Sequence, residues 1–171
     1  GGTLSNLNAL IAARHNSGLG SDPNSVLLVS EDAHSSFIKC IRIMGLDEAN
    51  LIRIKTDNNG SIDIQNLRKT IDKCFIDNKK IFAIVATLGT TVRGAIDPIK
   101  DISEICKERN IWLHIDGSIG GIFAITSIPI EGLNNINQAN SITINPQKII
   151  GITKTSSLLL VSNMSTLENT F

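Results

Sequence analysis

Short, wholly apolar runs alternating with amphipathic stretches place the tightest limit on how this chain folds. Residues 26–30 (VLLVS) and 81–87 (IFAIVAT) are too short for buried helices and show no polar alternation, as strands covered on both faces do. Residues 111–116 (IWLHID), 141–144 (SITI) and 157–161 (SLLLV) read as further strands, and 51–55 (LIRIK) alternates like a half-exposed one. Between them, helical spacing recurs. It joins Leu4, Leu7, Leu10 and Ile11 over 4–15, and Phe37, Ile38, Ile41 and Met44 over 35–45, closed by Gly45. It recurs at Ile64, Leu67, Ile71, Cys74 and Phe75 over 63–77, and at Ile99, Ile102, Ile105 and Cys106 over 99–108. DNNGS at 57–61 marks a turn, and Asn163 opens a terminal helix. The pattern predicts one α/β domain with a mostly parallel sheet flanked by helices.

In such sheets, ligands sit beyond the carboxyl ends of the strands. That rule selects His34, Thr87 to Gly94, Asp116 to Gly121, and Asn145 to Lys148. Other classes of function fit poorly. Lys+Arg and Asp+Glu both number 16, so the chain has none of the basic excess expected of a nucleic-acid or membrane-surface partner. No apolar run spans a bilayer, and neither GxGxxG nor GxxxxGK[ST] follows a strand. His15, His34 and His114 lack metal-ligand spacing, so no metal site is expected. Cys40, Cys74 and Cys106 form no CxxC pair and read as reduced, buried thiols of a cytoplasmic protein. A start at Gly1-Gly2 without Met, and the lack of any tyrosine, read as an internal piece of a longer protein.

Each candidate residue has a plain reading beside a chemical one. Gly1-Gly2-Thr3 before a helix forms an anion site from free N–H groups and the helix dipole, or a simple cap by Thr3 or Ser5. Asp116, at a strand end among small residues, faces a ligand or caps a turn. Lys148, between an apolar strand and Ile149-Ile150, is a partly desolvated amine suited to imine chemistry, or a snorkelling surface lysine. His34 is a loop residue or a catalytic one. Their order is more specific than any one of them. A phosphate loop, a strand-end carboxylate for a pyridinium nitrogen, and a lysine for an aldehyde are the parts of a pyridoxal-phosphate site.

Five segments, GGTLSNLNALIAAR, EDAHSS, ATLGTTVRGAIDPI, WLHIDGSIGG and SITINPQK, resemble the group II pyridoxal-phosphate-dependent amino-acid decarboxylases across essentially the whole chain. The resemblance implies part of a fold-type I large domain like that of aspartate aminotransferase, with an N-terminal segment and a C-terminal small domain outside residues 1–171. It implies that Gly2 and Thr3, with Asn145, bind the phosphate, and that His34 stacks on the ring. Asp116 would meet the ring nitrogen with Ser118 nearby, and Thr90 or Thr91, with Asp97, would shape the pocket. Lys148 would hold the cofactor as an imine while an L-amino acid loses CO₂. A cytoplasmic homodimer is implied, with an amino-acid substrate and neither nucleic acid nor membrane as partner.

Gln147 stands where the family usually has histidine, and Gly117-Ser118-Ile119 where it often has Ala-Ala-aromatic. The tyrosine that commonly donates the proton has no counterpart in this chain. An aminotransferase or carbon–carbon lyase of the same fold would share Asp116 and Lys148. A non-catalytic scaffold would need neither of them, nor His34.

Overall fold

The computed structural model of the chain describes residues 1–130 and 132–171. The elements run α1 (Gly2–Asn16), β1 (Ser25–Ser30), α2 (Ser36–Ile43), β2 (Leu51–Ile54), α3 (Ile64–Ile76), β3 (Lys80–Thr87), α4 (Ile99–Arg109), β4 (Trp112–Gly117), β5 (Ser141–Ile144), α5 (Pro146–Ile149), β6 (Leu158–Val161) and α6 (Ser165–Glu168). One six-stranded sheet has the order β2-β1-β3-β4-β5-β6. Its first five strands are parallel, and β6 lies antiparallel on β5. This is the expected α/β architecture, with an antiparallel edge added.

The strands are apolar because both faces of the sheet are covered. Leu27, Val29, Phe82 and Val85 meet Leu10 of α1 and Phe37 of α2 on one side. Leu28 and Ile84 meet Leu67 and Ile71 of α3 and Ile102 of α4 on the other. Asp63 caps α3, its side chain accepting from Asn66 N–H at 3.0 Å. Asn110, at φ +52°, closes α4 with left-handed backbone.

Two residues placed by spacing on buried faces lie elsewhere. Leu4 is 58% exposed, because it lines an open cavity at the amino end of α1. Phe75 is half exposed, and the Arg109 guanidinium lies 5.6 Å from its ring centroid, a cation–π distance.

Helix α1 hides polar as well as apolar side chains. Arg14 is buried yet satisfied: it donates to Ser25 Oγ at 2.9 Å and to the Met44 and Asp22 carbonyls at 3.0 Å each. These bonds anchor the far end of α1 to β1 and to the turn after α2. Asp97 plays a similar part on the other side. Its carboxylate accepts from Ile62 N–H at 2.8 Å and Thr87 N–H at 2.7 Å, tying the end of β3 to the turn before α3. Burial pushes its pKa up to about 6, against the pull of those two donors.

Candidate active site

The carboxyl ends of β1, β4 and β5 and the amino end of α1 converge on a cavity of about 530 Å³, within the size range of small-molecule sites. Its walls include Gly2, Thr3, His34, Asp116, Ser118, Asn145 and Lys148. Seven residues that the sequence reading scattered over nearly the whole chain therefore share one space.

Asp116 ends β4 and is 5% exposed. Its Oδ2 accepts from Asn6 Nδ2 at 3.2 Å, and its Oδ1 from Ser118 N–H at 3.1 Å. Gly2 lies where no side chain fits: an added Cβ would stand 2.5 Å from Asn145 Nδ2 and 3.0 Å from Ser118 Oγ. Leu4 and Ser5 N–H both turn back to the Gly1 carbonyl, at 2.9 and 3.3 Å. The N–H groups of Gly2 and Thr3 precede that first helical bond, so they belong to the helix's free donors. Asn145 is fixed from behind, its Oδ1 accepting from Ser157 Oγ at 2.6 Å, while Ser157 Oγ lies 2.7 Å from Ser5 Oγ.

His34 Nδ1 accepts from Ser36 N–H at 3.1 Å, which leaves Nε2 to carry the ring hydrogen. Ser36, which the sequence reading passed over, lines the same cavity; its Oγ is buried and has no partner among the described residues. Cys40 lies behind this wall, its thiol 3.9 Å from the Thr3 carbonyl. Burial, reinforced by the Asp116 carboxylate, pushes that thiol up to about 11, so it is no nucleophile at neutral pH.

Several candidates stand at the rim of this cavity or away from it. Of its two readings Lys148 has the exposed one, and Ile149 and Ile150 beside it are 48% and 52% exposed. The reason is local: α5 is four residues long and stands at the cavity rim, with nothing in the described residues packed over it. Thr90, Thr91 and Asp97 are not among the residues lining this cavity. Thr90 Oγ1 instead accepts from Ala95 N–H at 3.0 Å within its own loop, Thr91 is exposed, and Asp97 lines a separate cavity of about 640 Å³ on the α3 and α4 side. Ile119 is also absent from the site's lining and faces Gly89 instead, 3.6 Å from that residue's Cβ position. Gln147 does line the cavity, and its Oε1 holds Ser156 N–H at 3.0 Å.

A buried orphan hydroxyl, a glycine cradle with free N–H donors, a fixed carboxylate and a free amine suit a ligand with an anionic end, a protonated ring nitrogen and an aldehyde. Pyridoxal phosphate has all three.

Comparison with known proteins agrees. The model of the pyridoxal-dependent decarboxylase conserved domain matches residues 1–171. The chain is 30% identical over 171 residues to an aromatic-L-amino-acid decarboxylase of Bacillus atrophaeus, covering 100% of this chain and 36% of that protein. It is 34% identical over 157 residues to the acidic amino acid decarboxylase GADL1 of Xenopus tropicalis, covering 88% and 31%. The crystal structure of mouse CSAD superposes with a TM-score of 0.93 at 28% identity, over 99% of this chain and 37% of that one. The chain thus spans about a third of the length of the relatives it matches.

Proposed function

Because this chain belongs to the pyridoxal-dependent decarboxylase family, we propose that the whole protein removes the α-carboxylate of an L-amino acid as CO₂, with pyridoxal phosphate seated in the cavity of Asp116 and Lys148. The observation that carries this reading is the convergence of Gly2, His34, Asp116, Asn145 and Lys148 on one space. When bound, the cofactor supplies an electron sink for the bond that breaks.

The chain's own residues do the rest. The free N–H groups of Gly2 and Thr3, at the positive end of α1, take the phosphate, with Asn145 beside them. Asp116 accepts from the ring nitrogen, and its two bonds from Asn6 and Ser118 fix its plane beforehand, so little reorganisation is needed as charge develops. His34, held by Ser36 N–H, would cover one face of the ring. Ser118 closes the side near Gly2. Lys148 Nζ, exposed at the cavity rim, would supply the amine that holds the cofactor's aldehyde.

A homodimer acting in the cytoplasm belongs to the same proposal. Half-exposed Ile149, Ile150, Leu158 and Leu160 near the site support an apolar contact there, and the three buried, unpaired cysteines suit a reducing compartment. The test uses the full-length protein, loaded with pyridoxal phosphate, reduced with borohydride and mapped by mass spectrometry. A phosphopyridoxyl group on Lys148, absent in Lys148→Ala, is the expected result, followed by CO₂ release from one or more L-amino acids. Folded, saturated protein with an unmodified Lys148 would sink the proposal in favour of a non-catalytic scaffold.

A further inference from the structure

Behind Asp116, on the α1 face of the sheet, polar side chains form a single file. Trp112 Nε1–H donates to Ser141 Oγ at 2.8 Å, and Ser141 Oγ lies 2.8 Å from His114 Nδ1. His114 Nε2 lies 3.1 Å from Asn6 Oδ1, and Asn6 Nδ2 reaches Asp116 Oδ2 at 3.2 Å. His114, Ser141 and Asn6 are all at most 2% exposed, so each group must find its partner inside this file.

With the ring neutral, one set of hydrogen positions satisfies every contact. A carboxylate oxygen accepts, so the Asn6 amide nitrogen must face Asp116 and its oxygen must face His114. His114 Nε2 therefore carries a hydrogen. The Trp112 indole only donates, so Ser141 Oγ accepts there and gives its own hydrogen to His114 Nδ1. The ring is thus neutral with a bare Nδ1. Burial, which pushes its pKa down to about 4 against the pull of the Asp116 carboxylate and the Ser141 main chain, keeps it so.

The two ends of an asparagine amide are nearly the same size, so shape alone does not stop the Asn6 amide from turning over. A turned amide would set its oxygen against Asp116 and push the carboxylate away. We propose that His114 is a positioning residue: its Nε2–H locks the Asn6 amide, so that only an N–H meets Asp116 Oδ2 and the carboxylate is aimed into the cavity. The inference rests on the reading above, in which Asp116 meets a protonated ring nitrogen. Mutations in outer positions of this kind, around a fixed ligand, characteristically cost affinity without touching it.

The experiment compares full-length wild type, His114→Leu and His114→Gln, since a glutamine amide can replace the Nε2–H donor. Pyridoxal-phosphate affinity is read by fluorescence quenching. With ¹⁵N-labelled cofactor, the NMR shift of the ring nitrogen reports its protonation. The Leu variant should bind about tenfold more weakly or worse and shift the ring nitrogen toward its unprotonated value, while the Gln variant stays near wild type in both. Selective ¹⁵N-histidine labelling of the cofactor-free wild type should show hydrogen on Nε2 alone for the ring whose signals vanish in His114→Gln, which separates it from His34, and this test stands even if the Leu variant does not fold. A hydrogen on Nδ1, or a folded Leu variant indistinguishable from wild type, overturns the inference alone. A wild type that takes up no pyridoxal phosphate overturns the functional reading and this one with it.

Discussion

Gly1 and Gly2 are neighbours, yet the structure predicts opposite outcomes for the same added methyl group. At Gly2 the new Cβ would stand 2.5 Å from Asn145 Nδ2 and 3.0 Å from both Asn145 Oδ1 and Ser118 Oγ. Neither neighbour moves freely: Asn145 is 3% exposed and bound to Ser157 Oγ at 2.6 Å, and Ser118 is 8% exposed. Forcing extra volume into such a site costs about 1–3 kcal/mol. Without cofactor, the first turn of α1 can relieve the strain by drawing back. With the phosphate bound, the helix end and Asn145 must hold their places together, so the strain falls on the bound state. At 1.4 kcal/mol per tenfold, Gly2→Ala should weaken pyridoxal-phosphate binding roughly five- to 150-fold. No described residue lies within 4 Å of a Cβ at Gly1, so Gly1→Ala should bind within about twofold of wild type. Fluorescence titration of the full-length apoprotein measures both, and thermal unfolding of the apoprotein controls for global damage. Equal affinities for the two variants, or a Gly2→Ala loss that appears wholly as a lower apoprotein Tm, would refute the reasoning.

Two further perturbations follow from buried groups. Ser36 Oγ has no partner among the described residues, so Ser36→Ala should leave apoprotein stability within about 0.5 kcal/mol while lowering cofactor affinity or raising KM; unchanged binding would show that the hydroxyl meets no ligand. Asp97 and His114 should oppose each other in acid. Asp97, with its pKa raised to about 6, contributes stability that is full below about pH 3.8 and is lost as pH rises toward 6. His114, with its pKa lowered to about 4, contributes stability that is full above about 6.5 and is lost as pH falls toward 4. Each is worth about 3 kcal/mol. Asp97→Asn should therefore steepen the fall of Tm between pH 6 and 4, and an unchanged slope in thermal scans would contradict the assignment.

Strand positions were legible because burial on both sides writes itself as an unbroken apolar run. IFAIVAT differs from β3 only by the added Lys80, and SITI at 141–144 is β5 residue for residue although Ser141 and Thr143 break its apolar run. The direction of β6 was not legible, since an edge strand carries no mark of its orientation in its own residues. The 3₁₀ turns Gly120–Ile125 and Leu133–Gln138 are too short to show a period. Among the residues lining the cavity, Asp116 and Lys148 were legible because strand ends predict them, but the apolar neighbours of Lys148 say nothing of its exposure. Ile149 and Ile150 are apolar without being covered by any described residue. Asn6 and Ser36 were missed for a different reason: one hides in a helix and the other in a motif read for its histidine. The available signal was a polar residue on a buried face. Asn6 sits between Ser5 and Leu7, both buried, in the first half of α1, and an amide there needs partners.

That buried polar face explains why α1 can align the site. An ordinary amphipathic helix is held by apolar contact, which tolerates small slides. Helix α1 is instead fixed by directional bonds at both ends: Arg14 to Ser25, Asp22 and Met44 at one, and Ser5 and Asn6 to Ser157, His114 and Asp116 at the other. Gly2 and Asn6 are four residues apart, so they lie one above the other on the same face. One helix therefore presents free N–H groups toward an anion and, a turn later, an amide toward the carboxylate that would meet a ring nitrogen. The spacing of these two sets of donors along α1 is set by helix pitch, about 5.4 Å per turn, and by the bonds that stop the helix from sliding. A polar side chain buried on α1 is costly when it lacks a partner, and satisfied it ties both ends of the site to one rigid element.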